Sequence, residues 1–183
     1  MDIQWTDDVD SVLEAHQPAV LDFTAAPMGG GCARLEAEVY PEPRVTQFIA
    51  GNFKPVRLHV KTHPEAMERL NVQWTPTVLM LDANGTERHR VEGFLDADEF
   101  LGQLMVGAAQ VAFAEKRFDE AERRFREIVE QLPNTDAAPA AQYWAGVAKY
   151  KASGDGSALA ATAQAFKAKY AETTWAKKAS IWG

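Results

Sequence analysis

The chain has 183 residues, 46% of them hydrophobic and 10% aromatic, which is enough apolar material for a packed core and excludes a disordered protein. Its net charge of −7 argues against a nucleic-acid surface, which needs clustered Lys and Arg. No apolar run approaches the roughly 20 residues that cross a bilayer. Cys32 is the one cysteine, so no disulfide can close within a single chain. The acidic stretch Met1–Asp8 lacks the basic and apolar regions of a secretory leader, and the expected compartment is the cytoplasm.

In chain order, residues 7–16 predict a short amphipathic helix with Val9, Val12 and Leu13 on one side. The run Ala19-Val20-Leu21-Asp22-Phe23 predicts a buried strand over 18–24. After it, Pro27-Met28-Gly29-Gly30-Gly31-Cys32 reads as a glycine-rich turn into a helix over 32–40, with Pro41 and Pro43 interrupting before a helical stretch at 45–50. A strand over 53–60, a helix over 65–70 and a buried strand over 77–81 follow. Asp82-Ala83-Asn84-Gly85 is a turn, and 87–91 returns antiparallel. Asp96 caps the next helix, with Glu99 at capping-box spacing.

Beyond about Phe100 the pattern has no strand and is rich in helix formers. Breaks at Pro133-Asn134 and Ser153-Gly154-Asp155-Gly156 predict helices near 97–116, 118–131, 136–152, 157–170 and 174–181. Such short connections imply antiparallel helix hairpins. The expected domains are 1–106, of α/β class, and 107–183, all helical, with the boundary inside a continuous helix.

Three segments of the first half resemble the thioredoxin family: Asp22-Phe23 at a strand end, Gly29-Gly30-Gly31-Cys32 at the active-site turn, and Trp74-Thr75-Pro76-Thr77, where the family carries a cis-proline facing that turn. Gly93 and the order of elements agree. The resemblance covers about residues 5–104 and implies a thioredoxin-like fold, a central mixed sheet flanked by helices. In the second half Ala109, Ala121, Phe125 and Pro133 resemble the small, small, aromatic and proline positions of a tetratricopeptide repeat of roughly 34 residues, and the stretch 140–146 resembles the opening of a second.

The chemistry of the resembled family uses two thiols at i and i+3 on a helix N-terminus, close enough to join and placed where the helix dipole favours thiolate. Gly29 stands at the first of these positions, leaving Cys32 at the second. Three readings stay open. The bare Gly29 uncovers Cys32, which then forms mixed disulfides with glutathione or a protein; or Cys32 is a small apolar filler of the first turn; or the chain is a variant of dithiol relatives, in which Gly29→Cys restores a reducible disulfide.

Asp22, a carboxylate on an apolar strand, is expected to have a raised pKa and to serve as proton acceptor for Cys32, or to be a relic of that role. Pro76 is expected in cis, and Gly29, Gly30, Gly31, Trp74, Thr75 and Pro76 form the expected binding face for an extended peptide. The three glycines lack the Lys and Ser/Thr of a phosphate loop. His16, His59, His63 and His89 are scattered without metal-ligand spacing, and Trp144, Trp175 and Trp182 read as helix-packing residues. The expected function is a protein-interaction module that has lost dithiol catalysis, with a monothiol oxidoreductase acting through Cys32 as the alternative. No cofactor, metal, nucleic acid or membrane is expected as a partner. A protein or peptide at the Cys32/Pro76 face is, and so is a homodimer through the helical tail.

Overall fold

The computed structural model describes residues 2–183, which form two compact units, one up to Gly107 and one from Ala108 to Gly183. In the first, four strands make one mixed sheet in the order β2-β1-β3-β4. β1 (Ala19–Thr24) pairs parallel with β2 (Lys54–His59) and antiparallel with β3 (Thr77–Leu81), and β3 pairs antiparallel with β4 (Glu87–Glu92). β1 is central and buried along its whole length, as a strand apolar at all but Asp22 and Thr24 favours. The two-residue period of a strand sends Ala19, Leu21 and Phe23 into a core with Val56, Leu58, Leu79 and Leu81. Val20, Asp22 and Thr24 therefore face the opposite side, where Asp22 is the charged exception.

Five helices belong wholly or in part to this unit: α1 (Val9–Glu14), α2 (Gly30–Arg34), α3 (Pro43–Asn52), α4 (Pro64–Arg69) and the start of α5 (Ala97–Ala114). Asp8 caps α1 by accepting from Ser11 N–H at 3.0 Å, and Asp96 caps α5 by accepting from Glu99 N–H at 3.0 Å. The helix expected over 32–40 begins two residues earlier and changes character. Leu35–Val39 is one wide π turn, with Tyr40 N–H bonded to Leu35 C=O at 2.9 Å. That extra residue per turn, just before Pro41, swings Tyr40 into the interior, where it is buried.

The second unit is helical throughout: the end of α5, α6 (Phe118–Gln131), α7 (Ala137–Ser153), α8 (Ser157–Ala168), α9 (Thr174–Ala179) and a short 3₁₀ turn, Ser180–Trp182. α5 stops at Ala114, two residues short of the expected end, because Lys116 takes a positive φ of 63° to make the turn. Gly154, with φ 70°, closes α7 as the serine-glycine break predicts. Ala121, Phe125, Ile128, Ala141, Ala145 and Phe166 fill the core. Gly146 lies so close to Thr162 that no side chain fits between α7 and α8. Among the described residues no helix is long and apolar enough to cross a membrane.

Candidate functional site

Two loops meet at the N-terminus of α2. Gly29 is the N-cap, with φ 82°, a left-handed conformation that L side chains rarely adopt. Gly31, two residues on, faces the second loop: a Cβ built there falls 3.0 Å from Pro76 Cδ and 3.5 Å from Phe94 Cβ. Pro76 follows a cis bond to Thr75, as expected, and a second cis bond, Ala26–Pro27, lies in the first loop. Thr77 Oγ1 donates to Trp74 C=O at 2.7 Å and Gly93 N–H donates to Pro76 C=O at 2.8 Å, which holds the second loop in place. Met28 and Trp74, one on each loop, are both 65% exposed. Arg34 lays its guanidinium over the Phe94 ring at 4.3 Å and pairs with Glu38.

Cys32 is only 2% exposed, which agrees with the reading of a small apolar filler and goes against the reading in which the bare Gly29 uncovers it. The cover comes from the strap that leaves β1. Ala25 N–H donates to Cys32 Sγ at 3.4 Å, Ala26 N–H donates to Thr24 Oγ1 at 3.0 Å, and Ala26 C=O accepts from His59 Nε2 at 2.9 Å. His59 Nδ1 accepts from Lys61 N–H at 3.1 Å, which places the ring proton on Nε2. His59 was read from sequence as one of four scattered histidines at the surface or a strand edge, and it does lie on the edge strand β2. It is also the clamp on the strap that lies against the thiol.

Behind the cysteine, Asp22 and Arg57 stand opposite each other in the β1–β2 register. Arg57 Nε meets Asp22 Oδ2 at 3.1 Å and its Nη1 meets Glu36 Oε1 at 3.1 Å. The guanidinium also lies over the Trp5 ring at 4.3 Å, and Trp5 packs edge-on to Tyr40 at 5.0 Å. Burial raises the Asp22 pKa from 3.8 to about 6, the Arg57 charge opposing it. Asp22 Oδ1 and Tyr40 Oη are both enclosed and neither makes a well-aligned hydrogen bond. The two still act on each other: burial first, then the Asp22 charge, raise the Tyr40 phenol well above its usual pKa, and Cys32 adds in the same direction. Asp22, Arg57, Tyr40 and Cys32 thus share one electrostatic neighbourhood. A cavity of about 260 Å³, walled by Trp5, Glu36, Tyr40 and Arg57, opens on its outer side.

Residues 5–106 match the family described as a thioredoxin-like domain. The chain belongs to the thioredoxin-like family. Solved structures agree on the fold. A thioredoxin from Thermus thermophilus is 22% identical, with a TM-score of 0.54 over 64% of this chain and 96% of its own. A DsbH oxidoreductase is 14% identical, with a TM-score of 0.53 over 59% of this chain and 85% of its own. A comparison with curated proteins finds no match.

On this thioredoxin-like frame the predicted residues fall into two groups. Gly31 and Pro76 lie close, with Gly29 and Gly30 at the start of α2 and Trp74 and Thr75 on the facing loop; Asp22 and Cys32 lie beneath, and each raises the Tyr40 phenol electrostatically. Arg57, Tyr40 and Phe94 were not singled out from sequence, and His59 was named there without this role. A carboxylate in a buried strand needs a cation, and Arg57 in the neighbouring strand was the available signal for one. Gly29 answers the question of a lost dithiol partner. A Cβ built there meets nothing within 4 Å, although bridged Cβ atoms sit about 3.5–4.5 Å apart, and φ strains any side chain. The open reading in which Gly29→Cys restores a disulfide is thus disfavoured by the loop as it stands, through its positive φ and the lack of any atom within 4 Å of the new Cβ. Among the described residues no three His, Cys, Asp or Glu side chains are placed to hold a metal.

Proposed function

We propose that the thioredoxin-like domain is a protein-interaction module whose dithiol chemistry has been lost, and that it binds an extended peptide across the Gly29–Gly31/Pro76 face. The observation that carries this reading is the contrast between an enclosed sulfur and an open rim: Cys32 is 2% exposed while Met28 and Trp74 are each 65% exposed. An exposed Trp and Met flanking a turn of bare glycine backbone supply apolar contact and main-chain hydrogen bonds, and neither needs a thiol. G-x-x-C in place of two cysteines is, on this reading, a degenerate motif. The helical region is a tetratricopeptide-like pair, supported by the complete burial of Ala109, Ala121 and Phe125.

One observation favours the monothiol alternative: Ala25 N–H donates to Cys32 Sγ, so a main-chain donor faces the sulfur. In that chemistry the thiolate attacks a disulfide, forms a Cys32 mixed disulfide and expels the other sulfur as thiolate. Selection of a displayed random-peptide library on the full chain separates the two. The interaction reading expects selected peptides to bind Cys32→Ser as well as the parent, and Trp74→Ala about tenfold or more weakly. Loss of binding in Cys32→Ser, or capture by mixed disulfide alone, would overturn it.

A further inference from the structure

The helical unit carries a second concave feature, far in sequence from the cysteine. A cavity of about 270 Å³ lies between α8 and α9. Ala163 and Phe166 of α8, Ala171 of the connecting turn and Ala176 of α9 give it apolar walls, and Lys167 and Lys177 stand at its two sides. The walls are fixed. Tyr170 takes a positive φ of 70° in the connecting turn and its Oη donates to Pro133 C=O at 2.6 Å. Gln142 Nε2 donates to Lys169 C=O at 3.2 Å, and Thr173 Oγ1 caps α9 by accepting from Ala176 N–H at 3.2 Å. The slot is therefore preformed.

Charge is uneven along the chain in a way that bears on this slot. Residues 137–183 contain six lysines, Lys149, Lys151, Lys167, Lys169, Lys177 and Lys178, against Asp155 and Glu172, a net of +4 in a chain of net −7. Four of those lysines lie on or beside the slot's two helices. Ile181, 84% exposed and next to Ser180 at the slot's end, adds apolar surface outside it. The volume falls below the usual range of about 300–1,000 Å³ for small-molecule pockets, so it suits one large side chain better than a cofactor.

We propose that the α8–α9 slot is a docking site for an acidic protein segment, which inserts one large apolar side chain between Ala163, Phe166, Ala171 and Ala176 while its flanking carboxylates meet Lys167 and Lys177. This occupant matches both halves of the site: an alanine-lined slot rewards an apolar residue, and lysines on both sides reward acids around it. The site is independent of the Pro76 face.

The test uses the full chain and a fluorescein-labelled peptide, Glu-Glu-Leu-Phe-Glu-Glu, followed by fluorescence anisotropy at low salt. Lys167→Glu combined with Lys177→Glu is expected to weaken binding about tenfold or more, with an unchanged melting curve. The same double variant is expected to gain affinity for Lys-Lys-Leu-Phe-Lys-Lys, a rescue that general damage to the fold does not give. Ala171→Phe fills the slot without touching charge and is expected to abolish binding; it decides the matter if the double variant fails to fold. Trp74→Ala should leave this peptide's affinity unchanged, which separates the slot from the interaction face proposed above. Equal binding by the charge-reversed variant would overturn the proposal, as would equal binding of a peptide with alanine for leucine and phenylalanine. So would binding only to phosphatidylserine vesicles, or concentration-dependent self-association abolished by Ala171→Phe without any peptide affinity.

Discussion

Asp22 and Arg57 face each other across the β1–β2 register, and the 3.1 Å pair between them does not offset the cost of burying the carboxylate, whose pKa stands near 6 rather than 3.8. The sign follows from proton binding. Between about pH 4 and pH 6 the folded chain holds the Asp22 proton and the unfolded chain has released it. Asp22's contribution to stability is thus fully present below its unfolded pKa and lost as pH rises through about 6, a change of roughly 3 kcal/mol. Asp22→Asn should remove that dependence. Urea denaturation of both proteins between pH 4 and pH 7 checks it: the parent's stability should fall relative to the variant's as pH rises, and parallel curves would contradict it.

Restoring the missing sulfur should not restore a redox pair. Gly29→Cys places a side chain at a φ of 82°, pointing into open space, with no atom of Cys32 within 4 Å of the new Cβ. Free-thiol counting under mild oxidation should find both thiols unpaired within the chain, at a stability cost of about 1–2 kcal/mol for the left-handed backbone. Ready formation of an intramolecular disulfide would show that this loop moves.

The neighbouring glycines should respond in opposite directions. Gly30 has open space around its Cα and a negative φ, so Gly30→Ala should be stabilising by about 0.5–1 kcal/mol. Gly31→Ala drives a methyl to 3.0 Å from Pro76 Cδ and should cost about 1–3 kcal/mol. Thermal denaturation of the two variants settles the order, and equal effects would mean that the two loops are not in contact.

The sheet was legible because its signals are local. Ala19–Phe23 is apolar but for Asp22, Val78–Leu81 is an unbroken apolar run, and Asn84-Gly85 between strands is a turn signal; each lies where the pattern put it. The last helices were bounded within a few residues by Pro133 and Gly154 for the same reason. The burial of Cys32 was one of three open readings, and nothing local chose among them: the strap against the sulfur is tied by His59, 33 residues from the Ala26 carbonyl it bonds. The π turn at Leu35–Val39 was equally hidden, since a pattern with a 3.6-residue period carries no mark of one extra residue. Arg57 alternates with Val56 and Leu58 in its strand, and only the register with Asp22 makes it a counter-charge.

His59 gives a prediction of its own. His59→Ala removes the bond to Ala26 C=O and should raise the alkylation rate of native Cys32 by about tenfold, the equivalent of one hydrogen bond of about 1.4 kcal/mol. His59→Gln keeps an N–H donor at similar reach and should recover much of the protection. Faster alkylation in both variants alike would mean that the ring's packing, and not its hydrogen bond, holds the strap.

The central claim, an interaction face above an enclosed and idle sulfur, is tested most directly by the reactivity of Cys32. Iodoacetamide labelling of the full chain at neutral pH, native against urea-unfolded, should be slower in the native state by about 100-fold or more, the strap having to open first. A native rate equal to or above the unfolded one would contradict the account and make Cys32 the working nucleophile.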